Sequence, residues 1–116
     1  MGIINEILQT SKSVNNNRKP FQVLCKLLEE IGELTTEINV VEGFLPKEKA
    51  GKDGIIGETA DVMNCLIDLM YLYNPNITET EFRTIMNNKL QKWKAFDNFI
   101  KFENDRNKEP IYNEYS

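Results

Sequence analysis

The sequence predicts an all-α protein, an antiparallel bundle of about four helices. Three observations predict it. Apolar residues recur at helical spacing over long stretches, and no segment shows the period-two alternation of a strand. The helical stretches are separated by brief clusters of asparagine, glycine and proline, and short connections favour antiparallel neighbours. One stretch is apolar nearly all round, as in a buried helix.

The first helix is short, from about Gly2 to Lys12, and ends before Asn15-Asn16-Asn17. The second runs from Pro20 to Val41. Proline suits the first turn because its missing N–H is an orphan there anyway. Phe21, Leu24, Leu28, Ile31 and Ile38 make its stripe, and Val23, Leu27 and Leu34 widen it. A charged, exposed connection follows from Glu42 to Asp53, with Gly43, Pro46, Gly51 and Gly54 as breakers. The third helix runs from Gly54 to Tyr73 and Asn74-Pro75-Asn76 closes it. The fourth opens at Thr78, where Thr78 and Glu81 form a capping-box pattern. It continues to Glu103, with Phe82, Met86, Trp93, Phe96 and Ile100 as its inner stripe. Residues 1–103 thus form a single helical domain, and 104–116 a polar tail that Tyr112 and Tyr115 could anchor.

The chain of 116 residues is one domain's length, with 41% hydrophobic and 28% charged residues. No apolar run reaches the roughly 20 residues of a membrane helix, and the first residues lack the pattern of a secretory signal. A cytoplasmic location and no membrane partner are expected. A net charge of −4 argues against binding nucleic acid, whose backbone calls for clustered positive charge. Cys25 and Cys65 are too few for a disulfide framework and read as buried free thiols. Without histidine, neither a zinc site of cysteine and histidine nor a di-iron bundle site is available.

The acidic residues carry the chemistry. At about 100° per residue, Val23, Leu27, Leu34 and Val41 fall within about 60° of Glu30, so Glu30 borders the apolar stripe. Glu33 is its neighbour one turn on, with Glu29 and Glu37 beside them, and Glu37 reads as surface. An acidic cluster on one helix is most simply a solvated face. The third helix changes that reading. Ile55, Ile56, Val62, Met63, Leu66, Ile67, Leu69 and Met70 surround it, yet Glu58, Asp61 and Asp68 interrupt one side with no lysine or arginine among them. Buried carboxylates must protonate, pair with cations or bind a metal. Two i,i+3 pairs, Glu30/Glu33 and Glu58/Asp61, would converge across adjacent antiparallel helices. Oxygen-only ligands suit Mg²⁺ or Mn²⁺. Asp68 reads as bonded to a polar neighbour. On the fourth helix Lys89 falls within the apolar stripe and Lys92 near its edge. Each is either a phosphate contact or an ordinary snorkelling or paired lysine.

The words Glu29-Glu30-Ile31-Gly32-Glu33 and Glu58-Thr59-Ala60-Asp61 resemble the EExxE…ExxD signature of the MazG-like all-alpha nucleotide pyrophosphohydrolases. Asn88-Lys89-Leu90 with Lys92 resembles that family's basic segment, more loosely. The likeness spans about residues 20–94. It implies Mg²⁺-dependent hydrolysis of a (d)NTP between the α and β phosphates, giving the (d)NMP and pyrophosphate. It also implies metal binding by Glu30, Glu33, Glu58 and Asp61, catalytic roles for Glu29 and Glu33, and phosphate contacts from Lys89 and Lys92. A homodimer or homotetramer, formed through the helices, is expected on the same ground. Two other functions fit the same residues: a phosphoribosyl-ATP pyrophosphohydrolase-like enzyme, and a non-catalytic helical interaction module.

Overall fold

The structure, a computed structural model, describes the backbone of residues 2–14 and 16–115 and the side chains of 2–14 and 16–106. Four α-helices account for most of it: α1 (Ile3–Ser13), α2 (Pro20–Val41), α3 (Gly54–Tyr73) and α4 (Glu79–Tyr115), with one 3-10 turn at Lys47–Lys49. There is no strand among the described residues. No described helix is long and apolar enough to cross a membrane. The chain divides into two compact units, residues 1–79 and 80–116.

In the first unit α1 and α2 both pack on α3. Cross-links along α2 and α3 fix their direction. Arg18, just before α2, bonds Asp68 late in α3, while Glu37 near the end of α2 bonds Gly51 just before α3. The two helices are therefore antiparallel. Between these ties the core is small: Val23 and Leu27 from α2, Ile67 from α3 and Leu8 from α1. Each contributes about 1.5–3 kcal/mol by leaving water.

The ends of α2 form as their residues dictate. Pro20 starts it, and the Gln22 side chain accepts the Lys19 N–H at 2.8 Å. Gly43, at φ +83°, ends it: its N–H donates to Val40 at 3.1 Å and the Phe44 N–H to Asn39 at 2.8 Å. This is a Schellman close, which favours glycine at the left-handed position.

Several expectations need correction. Phe21, Leu24, Leu28, Ile31 and Ile38 are exposed, and the face holding Val23, Leu27, Glu30 and Glu37 is the buried one. The periodicity marks both faces as apolar, but α3 covers only one. Cys25 lies on the uncovered side and is exposed; Cys65 is half-buried, and both are free thiols. Helix α3 is likewise left partly uncovered, with Ile56 and Leu66 exposed.

Glu37 is buried, not surface, and takes the Gly51 N–H at 2.5 Å. A Cβ on Gly51 would stand 2.9 Å from Glu37 Oε1, so glycine permits the approach. Replacing Glu37 with alanine should destabilise the fold by about 1.5 kcal/mol, the low end for a hydrogen bond to a charged group, because Gly51 itself is exposed. Urea unfolding checks this, and an unchanged midpoint would mean that the tie holds nothing.

Asp68 has the structural role expected of it. It accepts Arg18 Nη2 at 2.5 Å and Nε at 2.9 Å, and the Ser11 hydroxyl as well. Burial alone would raise its pKa, but Arg18 and Ser11 together hold it below the ordinary carboxylate value. This knot ties the end of α1 and the start of α2 to α3.

Helix α4 begins directly after Thr78 and passes the expected end at Glu103. Glu103–Arg106 at 3.7 Å bridges that point and Asp97–Lys101 at 3.3 Å lies just before it, both at helical spacing. Such exposed pairs add only a few tenths of a kcal/mol each, about 0.2–0.5, but no glycine opposes them. Within its stripe Phe82 is half-buried, whereas Met86, Lys89, Trp93, Phe96 and Ile100 are exposed. The side chains of Tyr112 and Tyr115 lie outside the described residues.

Candidate functional site

Antiparallel packing brings the two acidic words together. Glu30 and Glu33 stand one turn apart on α2, and Glu58 reaches them from the second turn of α3. One carboxylate oxygen from each of these three lies within 4.8 Å of the others. A second group, Asp53, Glu58 and Asp61, meets the same criterion and shares Glu58 with the first. Of the four expected ligands, three therefore fall in the first group, and Asp61 joins through the second.

Burial differs sharply among them. Glu30 is 5% exposed and Glu58 7% exposed. Glu33 is exposed and Asp61 half-buried, so they form the solvent side of the site. The buried Oε2 atoms of Glu30 and Glu58 have no hydrogen-bond partner. Unsatisfied buried carboxylate oxygens are costly, by several kcal/mol when the group is charged.

The electrostatics separate the two buried acids. Lys26, one turn before Glu30, donates to it at 3.0 Å and holds its pKa below the ordinary value. Glu58 has no such partner. Burial, and then the facing Glu33, Asp61 and Glu30, push its pKa up to about 7. One exposed lysine thus answers three carboxylates in the first group. The arrangement still has a net negative charge, and a divalent cation would neutralise it with oxygen ligands of the right type. Cys65, one turn past Asp61, has its thiol pKa raised by burial and by the nearby acids.

The remaining sequence candidates are in neither carboxylate group. Glu29 is exposed and belongs to neither group. Lys89 and Lys92 are exposed residues of the second unit. Two residues of the site were missed. Lys26 was legible as an i,i+4 partner of Glu30. Asp53 ends a loop in the sequence pattern, and only the backbone turn at Gly54 carries it to the cluster.

Beyond the acids, a cavity of about 580 Å³ opens between α1 and α3. Ile7, Ser11, Arg18, Asn64, Cys65 and Asp68 line it. Its lining residues Cys65 and Asp68 lie one and two turns beyond Asp61 on the same face of α3. Its volume is within the range of small-molecule sites, about 300–1,000 Å³. No family model, no curated protein and no solved structure matches the chain.

Proposed function

We propose that this chain is a divalent-cation-dependent nucleoside triphosphate pyrophosphohydrolase, producing a nucleoside monophosphate and pyrophosphate. One observation carries the reading: Glu30 and Glu58, each more than nine-tenths buried and each with an unpartnered oxygen, meet across α2 and α3 beside Glu33 and Asp61. A fold gains nothing from such an arrangement by itself. Mg²⁺ or Mn²⁺ would make it favourable, and either ion shares its shell readily with phosphate oxygens. The resemblance of the two acidic words to the MazG-like signature supplies the reaction.

Glu30, Glu33, Glu58 and Asp61 would hold the metal. When bound, the ion neutralises triphosphate charge, orients it and lowers the pKa of water. Glu33 is the carboxylate best placed as base, because it is in the cluster and still exposed. The water oxygen bonds to one phosphorus of the α–β anhydride and its proton passes to Glu33. The bridging P–O bond breaks, and its electron pair leaves with the departing phosphate oxygen. Glu29, exposed beside the cluster, would orient the water. Phosphate contact by Lys89 and Lys92 rests on the resemblance alone. The cavity along α3 offers room for the nucleoside.

A second copy of the chain is part of this proposal. Phe21, 72% exposed, and Leu28, 59% exposed, lead an uncovered stripe with Leu24 and Ile31 along the outer face of α2. Contiguous exposed apolar surface of this kind marks an interaction site.

The test is pyrophosphate release from the common NTPs and dNTPs, dUTP and phosphoribosyl-ATP, with Mg²⁺ and with EDTA. Metal-dependent release from a triphosphate, by a protein of dimeric or tetrameric mass, is expected. Release from phosphoribosyl-ATP alone would select the related enzyme. No release from any of them by folded protein would leave an interaction module.

A further inference from the structure

Asp53 occupies the N-cap of α3, where an aspartate ordinarily accepts a backbone N–H of the first turn. Here its side chain makes no capping bond. Its carbonyl accepts the Gly57 N–H at 3.1 Å, the first bond of the helix, while its side chain lies against Gly57. Two glycines make this path. Gly54 turns the chain at φ +66°, a conformation that a side chain disfavours. A Cβ on Gly57 would meet the Asp53 Cβ closer than real Cβ atoms approach. Glycine at position 57 costs helix stability, roughly 0.5–1 kcal/mol relative to alanine, and what it makes room for is a carboxylate.

That carboxylate joins Glu58 and Asp61, with one oxygen from each within 4.8 Å of the others. Acidic residues gather for no ligand on many surfaces. The difference here is Glu58, more than nine-tenths buried, whose Oε2 has no partner although it belongs to both carboxylate groups. Its two oxygens can serve two ions, as bridging carboxylates do in two-metal sites with ions about 3.5–4 Å apart.

We propose that Asp53, Glu58 and Asp61 hold a second divalent cation, beside the one assigned to Glu30, Glu33, Glu58 and Asp61, and that Asp53 is the ligand belonging to the second ion alone. This rests on the metal-dependent reading above. Five carboxylates answered by one lysine accommodate two divalent charges better than one. The ion at Asp53 would lie on the solvent side, since Asp53 is exposed and Asp61 half-buried. It is therefore the weaker and more exchangeable of the two.

The experiment is Mn²⁺ titration of the full chain, counting bound ions by the loss of the free-ion electron paramagnetic resonance signal. The variants are Asp53→Asn and Gly57→Ala, with Asp97→Asn as a control for lost surface charge. Wild type and D97N should bind two ions per chain. D53N and G57A should keep the tighter ion and bind the other about 10-fold or more weaker, the effect expected at least for a group supporting a metal. G57A crowds Asp53 through the new Cβ while leaving its carboxylate in place, and a urea midpoint near wild type shows that its loss does not come from unfolding. Two ions at unchanged affinity in D53N would overturn the proposal. So would a single ion in wild type with the same affinity in D53N, which leaves the metal-dependent reading standing. No ion in wild type would overturn both.

Discussion

Replacing Glu33 or Asp61 with alanine should lower metal-dependent pyrophosphate release by about 100-fold or more. Residues that merely support a metal ligand cost about 10–100-fold when mutated, and direct ligands should exceed that. These two positions separate chemistry from stability. Glu33 is exposed and Asp61 half-buried, and neither belongs to the apolar core. Helix content and urea midpoint should therefore stay near wild type while turnover disappears. Glu33→Ala removes a proposed ligand and the proposed base together. Glu33→Gln should retain much of the geometry and still lose turnover. If alanine at both positions left release within a factor of about three, well short of one ligand's worth, the site would lie elsewhere.

The second large effect is on stability, and Glu58 is its source. The folded protein raises this carboxyl from 4.5 to about 7, chiefly by burial. The unfolded chain releases the proton near about 4.3. Between those values the folded state holds more protons than the unfolded state, so stability falls as pH rises. The contribution is complete below the unfolded value and is lost as pH passes about 7. In EDTA the Tm should decline across that window. Glu30 acts in the opposite sense. Lys26 holds its pKa below 4.5, so its contribution disappears only in more acid solution. The two windows do not overlap.

Divalent cation should reverse the trend above pH 7, because it takes the place of the Glu58 proton. At about 100 times its Kd, Mg²⁺ should stabilise the fold by about 2.7 kcal/mol, a Tm rise of roughly 10 °C for a chain of this size. Glu58→Gln should flatten the metal-free pH profile and remove most of the Mg²⁺ shift. A flat wild-type profile in EDTA would mean that Glu58 is not buried among acids as described. A full Mg²⁺ shift in Glu58→Gln would mean that the cation binds elsewhere.

Local sequence determined the helices. α2 and α3 begin and end at the residues read for them, because proline at the first turn, glycine after the last and the Asn-Pro-Asn cluster act within a few residues. The position of Glu30 against the apolar face was equally legible, since helical spacing fixes which residues share a side. Its lysine partner was legible too. The end of α4 was not, because the residues past Glu103 are mostly polar and include Pro110, a pattern of a tail, while the helix runs on to Tyr115.

Tertiary structure alone decided which apolar face of α2 is covered, because periodicity registers both faces and only contact with α3 distinguishes them. It decided that Glu37 is buried, through a loop that returns to it from Gly51. It also decided that Asp53 belongs with Glu58 and Asp61. Sequence spacing measures neighbours along a straight helix, whereas Asp53 arrives by a left-handed turn at Gly54 and a missing Cβ at Gly57. Such placements depend on backbone path and on contacts between distant residues, and neither is written in the period of a single helix.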